Sequence, residues 1–204
     1  MNNTRNNNTT SSIFRVMRAS GLRFLLAAIL ITSTVVSAAA QASVTECGAR
    51  IYSAQPFSGG QLCLYTSSTE DRARLALRPC AADESRYEFL WRITRRDGGG
   101  VNILSLLNGA TKRMEVADFS KSDGAAIQIW GPNFGDGYRS QTWDFVPVPG
   151  GNLIVNVESG KCLAVPLGRN RLDQEVPIQY TCSRATNFVW TVESRLRSDN
   201  AFCR

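Results

Sequence analysis

The chain predicts an all-β domain built on a three-fold internal repeat and preceded by a secretory signal peptide. Short apolar runs broken by Gly, Asp and Asn have the pattern of strands joined by turns. The pattern recurs three times: GGQLCLYT, LALRPC and EFLWRIT; then KRMEVA, AAIQIW and SQTWDF; then SGKCLAVP, VPIQYTC and NFVWTVE. The three stretches close on Trp91, Trp143 and Trp190, a period of about fifty residues. All six cysteines fall inside the repeats or at their outer ends, none in the leader.

The leader comes first in chain order. Arg5, Arg15, Arg18 and Arg23 precede the apolar run Phe24–Ile31, and small residues follow at Ala38, Ala40 and Ala42. A basic region, a short apolar core and a small-residue cleavage site make a secretory signal over residues 1–40. The run is too short to span a bilayer, so no stable membrane insertion is expected once the signal is cleaved. Met17 is a second candidate start. Export places the protein outside the cell or in a periplasm.

The domain then covers residues 44–204, with repeats at about 44–96, 97–148 and 149–204. Ser43–Ser53 is expected as the first strand, QLCLYT as the second, and LALRPC and YEFLWRIT as the rest of the first unit. TSSTEDRAR lacks an apolar face and is expected to be a polar loop. The Gly-rich segments DGGG at 97–100 and PGGN at 149–152 mark the borders between units. VNILSLLNG, KRMEVA, AAIQIW and QTWDFVPV alternate as half-buried strands. LIVNVESG, KCLAVP, VPIQYTC and NFVWTVE repeat the arrangement, and the tail from Ser194 carries Cys203. Strands this short cannot bury an apolar face alone, so the three units must share a core. Trp91, Trp143 and Trp190, with Leu64, Met114 and Leu163, are expected to fill it.

Six cysteines in an exported chain imply disulfides, with fifteen pairings open on number alone. Repeat equivalence matches Cys63 and Cys80 with Cys162 and Cys182, which leaves Cys47 with Cys203. The middle unit has Arg113 where a bridging cysteine would stand, and must rely on packing.

Composition excludes several chemistries. With no histidine, the Ser-His arrangement and the commonest general base are missing. The cysteines are committed to bridges, and no CxxC pair suggests a metal. DFSKSDG resembles a calcium loop only superficially, because its Gly is misplaced and Ile129 stands where a bidentate Glu is required. No cofactor is implied. The formal charge of +6 falls to about +2 beyond residue 40 once the leader arginines are set aside. That balance does not fit nucleic-acid binding. Arg92, Arg95 and Arg96 form the densest basic group and are expected at a strand end facing water. What remains is a secreted binding domain, not an enzyme.

GAAIQIW, SQTW and SGKCLAV resemble the ricin-type β-trefoil lectins with their Gln-x-Trp repeats, over nearly everything after residue 45. The resemblance implies a β-trefoil fold and a shallow sugar pocket available to each unit. Such a pocket takes an acid after the central strand's Leu, a Gln two residues before an aromatic, and an Asn-Gln pair before the closing Trp. The middle unit has Glu115, Gln128, Trp130 and Gln141, with Ser140 in the Asn position. These five are the expected sugar-binding residues. The first unit departs throughout, with Tyr65, Ala76, Arg78 and Phe89, and is expected to be scaffold. The third has Tyr180 and Asn187 as a weaker second site, but Ala164 and Phe188 in the other positions, and VPIQYTC is one residue short. The implied partner is a carbohydrate or glycoconjugate. The competing expectation is a trefoil whose sugar sites have decayed and which binds a glycoprotein or a toxin's partner subunit.

Overall fold

The computed structural model describes residues 46–57, 60–80, 86–107, 109, 111–167 and 176–194, without the side chains of 135–137. These lie in one compact unit of the chain. The expected signal peptide, the tail from 195 and Cys203 lie outside the described residues.

Twelve strands are assigned in this region. The first unit holds β1 (Glu46–Ser53), β2 (Leu62–Tyr65), β3 (Ala76–Pro79) and β4 (Trp91–Arg95). The second holds β5 (Val101–Ser105), β6 (Arg113–Val116), β7 (Ile127–Trp130) and β8 (Trp143–Val148). The third holds β9 (Gly151–Asn156), β10 (Cys162–Ala164), β11 (Ile178–Tyr180) and β12 (Trp190–Ser194). Six strands close a barrel: β1 pairs with β4, β4 with β5, β5 with β8, β8 with β9, β9 with β12, and β12 with β1, all antiparallel. The remaining strands form the hairpins β2–β3, β6–β7 and β10–β11, one for each unit. Closure removes the exposed edges that strands of three to eight residues would otherwise present. This is the β-trefoil layout.

The three-fold repeat extends to single hydrogen bonds. Each closing Trp is fully buried. Its indole N–H donates to the carbonyl of the matching hairpin residue: Trp91 to Leu64 (3.4 Å), Trp143 to Met114 (3.0 Å) and Trp190 to Leu163 (2.9 Å). A buried indole must place its one donor, so this bond fixes how each hairpin sits on the barrel. The turns after β1, β5 and β9 repeat as well. Ser53, Ser105 and Asn156 are buried, and each side-chain oxygen accepts from the backbone N–H two residues on. At the border of the second unit, Gly100 has φ +70°, and a Cβ there would stand 2.6 Å from the Thr142 methyl. Only glycine serves at that crossing.

Cys63–Cys80 and Cys162–Cys182 are disulfide-bonded. Cys47 is disulfide-bonded too, and its expected partner Cys203 lies outside the described residues. Two local expectations are corrected. YEF, Gln141 of QTWDFVPV and Asn187-Phe188 of NFVWTVE, expected within strands, lie in 3-10 turns (Tyr87–Phe89, Gly135–Gln141 and Thr186–Phe188), because the chain must bend before each closing Trp enters the barrel. Arg96 does not simply face water. Its guanidinium donates to the Thr142 hydroxyl (3.0 Å) and stacks on the Tyr138 ring (4.1 Å).

Candidate functional site

In the middle unit, strand alternation places Glu115 of β6 directly opposite Gln128 of β7. Gln141 arrives from the 3-10 turn that precedes β8. The structure brings all three together, but turns them inward onto one another: Glu115, Gln128 and Gln141 are almost fully buried. Gln128 Nε2 donates to Glu115 Oε1 (3.0 Å), and Gln141 Nε2 donates to Oε2 (2.7 Å). A third amide, Asn133 Nδ2, also reaches Oε2 (2.7 Å). The Asn133 backbone N–H in turn donates to Gln141 Oε1 (2.9 Å). Burial pushes the Glu115 carboxyl above its ordinary range, and the three amide donors partly restore it. Ser140 is buried, and its carbonyl accepts from Asn156 (2.9 Å). The sequence pattern did not single out Asn133. Its signal was the Gly-Pro-Asn segment immediately after Trp130, an irregular loop from which Asn133 reaches Glu115 and Gln141.

The outer rim comes from two units. Trp130 is half-buried, and Arg72, from the first unit's polar loop, lies over its ring at 5.3 Å. The neighbouring Asp71 accepts from the backbone N–H of Gly131 (2.7 Å) and pairs with Lys112 (2.7 Å). That clasp recurs one unit later, where Asp123 accepts from the Thr181 N–H (2.7 Å) and pairs with Lys161 (2.7 Å). Hydrogen bonds to these cations hold both Asp carboxyls below their ordinary range. At the residue after each Asp the backbone is left-handed: Gly124 with φ +81°, Arg72 with φ +69°. Glycine takes that conformation freely, whereas arginine there costs about 1 kcal/mol.

The third unit differs inside the same frame. Tyr180 pairs with Cys162 as Trp130 pairs with Arg113, so the two aromatics are equivalent. Tyr180 is 46% exposed. Counting back from it, Gln179 takes the position of core residue Ile129, which is why the strand looked one residue short. Gln179 is fully buried, donates to the carbonyls of Ser120 (2.7 Å) and Ser122 (3.0 Å), and accepts from Ser159 (2.6 Å). It is a bracket for the middle unit's loop. Asn187 is buried, and its amide donates to the Val165 carbonyl (3.1 Å). With Ala164 in place of the acid, this unit presents an aromatic without a carboxylate.

Among the described residues no group of three His, Cys, Asp or Glu side chains is placed to hold a metal ion, and no described helix is long and apolar enough to cross a membrane.

Residues 139–202 match a family model described as ricin-type beta-trefoil lectin domain-like. No curated protein matches in sequence. Among solved structures, the designed three-fold symmetric protein ThreeFoil is 25% identical, with a TM-score of 0.58 over 71% of this chain and 97% of its own. A mosquitocidal holotoxin is 13% identical, with a TM-score of 0.62 over 76% of this chain and 18% of its own. The Polyporus squamosus lectin, solved with Neu5Aca2-6Galb1-4GlcNAc, is 19% identical, with a TM-score of 0.53 over 72% of this chain and 49% of its own. The chain thus spans less than half the length of the last two. It has a ricin B-type β-trefoil lectin-like fold.

Proposed function

We propose that this ricin-type trefoil is an exported carbohydrate-binding module, not an enzyme, with its sugar site in the middle unit. The observation that carries the reading is the Glu115 network on the same hairpin as the partly exposed indole of Trp130, two residues along the strand from Gln128. A pyranose has a patch of C–H groups and a rim of hydroxyls. The indole covers the patch. Asn133, half-buried and bonded to the Glu115 carboxylate, offers the rim a fixed amide, and a hydroxyl that displaces it reaches the carboxylate itself. Gln128 and Gln141 hold that carboxylate in place, and Ser140, the residue before Gln141, is buried with its carbonyl bonded to Asn156. Arg72 is exposed and long enough to swing off the indole as the ring arrives. The disulfides fit an oxidising compartment, in keeping with signal cleavage after Ala40 or Ala42.

A shallow site of this kind binds at ~0.1–1 mM, or about 4–5.5 kcal/mol. Calorimetric titration of galactose- and glucose-type ligands into wild type and Trp130→Ala is the test, with loss of binding expected in a variant that keeps its melting profile. Unchanged affinity in folded Trp130→Ala removes the assignment. A change at Glu115 is less decisive, because the same carboxylate satisfies three amides, two of them buried.

The second reading, a protein-binding trefoil with decayed sugar sites, is favoured by one observation: Arg72 lies on the indole face a sugar needs. Silence toward sugars together with capture of a protein partner through the Arg72 loop selects it.

A further inference from the structure

The first unit was expected to be scaffold, yet it holds a cavity of about 550 Å3 lined by Tyr65, Arg78, Pro79, Cys80, Arg86 and Phe89. Strand register shows what this cavity corresponds to. Arg78 pairs with Cys63 as Trp130 pairs with Arg113, so Arg78 occupies the place of the middle unit's indole. Tyr65 then stands where Glu115 stands, and Phe89, two residues before Trp91, where Gln141 stands. The aromatic and the charge have exchanged strands, and the charge has changed sign.

The groups are assembled, not scattered. The Arg78 guanidinium lies over the Tyr65 ring at 5.2 Å, and Arg86 lies over Phe89 at 5.7 Å. The two rings touch at 4.9 Å between centroids. Stacking on aromatic faces holds each guanidinium flat and leaves its N–H edge for an acceptor. Arg78 Nε is buried and has no hydrogen-bond partner among the described residues. A buried donor without an acceptor is costly. Among the described residues, half-exposed Arg86 forms a long ion pair with Glu88, at 3.6 Å. The Cys63–Cys80 disulfide and the Cys80 N–H to Gln61 carbonyl bond (2.9 Å) fix the floor.

We propose that this cavity is a second binding site, selective for a saccharide carrying an oxyanion, either a carboxylate or a sulfate ester. The oxyanion meets the N–H edges of Arg78 and Arg86, and the sugar's C–H face lies toward the exposed Pro79. Planar guanidinium groups suit such oxygens in paired hydrogen bonds. The proposal does not depend on the middle unit binding sugar.

The test is calorimetric titration of the full chain with galactose 6-sulfate, galacturonate, uncharged galactose and inorganic sulfate. One of the two acidic sugars is expected to bind at least about tenfold more tightly than galactose or sulfate alone, and to weaken with added salt. Which one identifies the anion. Arg78→Gln and Arg86→Gln, each checked for an unchanged melting profile, are expected to lose about tenfold. Arg86 is half-exposed, so its variant remains informative if the Arg78 change disturbs folding. Amide shift mapping should place the perturbation at Arg78, Cys80 and Phe89. Equal affinity for acidic and neutral sugars, no loss in folded Arg86→Gln, or perturbation confined to Gln128–Asn133 overturns the proposal.

Discussion

The middle and third units hold the same hairpin on the same barrel by different means. In the third, Cys162–Cys182 ties β10 covalently to the chain just beyond β11, and Lys161–Asp123 with the Thr181 N–H ties the hairpin to the preceding loop. In the middle, Arg113 and Pro132 stand where the cysteines stand. The tie to the preceding loop is retained through Lys112–Asp71 and the Gly131 N–H, and the hairpin is filled by the amides around Glu115. A disulfide acts mainly on the unfolded chain and tolerates change around it. A buried polar network acts only when every member is satisfied. The unit without a disulfide is therefore the one whose interior is most tightly specified, and it is the one that carries the candidate sugar site.

The largest effect should ignore this difference. Trp143→Ala and Trp190→Ala each empty an equivalent core position and orphan an equivalent carbonyl, so urea unfolding should show a loss of about 3–5 kcal/mol for both. A loss confined to one would mean that the units do not share a core. Next, replacing Cys162 and Cys182 together by Ala opens a loop with a sequence separation of 20 residues. A cost of about 3 kcal/mol is expected from the loop length. Native-state hydrogen exchange should show β10–β11 opening more readily than β6–β7. Equal loosening of both hairpins would show that the units do not open separately.

The smallest effect is one of pH. Asp71 and Asp123 are held below their ordinary range, so what they contribute is present above the unfolded value and lost as pH falls through the folded one. Glu115, pushed up by burial, works in the opposite sense: its contribution is full at low pH and lost as pH rises through the folded value. Below about pH 4 the third unit's clasp should therefore weaken without compensation, while the middle unit's loss is partly offset by Glu115 protonation. The protection factor of the Thr181 amide should fall more steeply with acid than that of Gly131, and less so in high salt, because both Asp residues are exposed. Identical profiles would remove Glu115 from the account.

Much of the fold was legible because it rests on spacing. Trp91, Trp143 and Trp190 recur with the hairpin residues they bond, and the cysteine positions followed from that repeat. The site was only half legible. The residue types Glu115, Gln128, Trp130 and Gln141 announced one constellation, but strand alternation alone could not say that Gln128 would face the carboxylate opposite it instead of a ligand. Gln179 was misleading for a similar reason. A one-residue shift moves a side chain to the other face, and the register of β11 is set by its cross-strand partner, not by its own sequence.

By itself, then, the sequence determined the three-fold repeat, the shared tryptophan core and the absence of histidine chemistry, since these depend on residue identity and period. Tertiary structure alone decided that Arg72 of one unit covers Trp130 of the next, that Asn133 completes the Glu115 network, and that Arg78 and Arg86 meet two rings in the unit that had looked like scaffold. Those contacts join residues that are far apart in the chain or turned toward each other by a bend, and only barrel closure, which fixes every hairpin's register at once, brings them within reach.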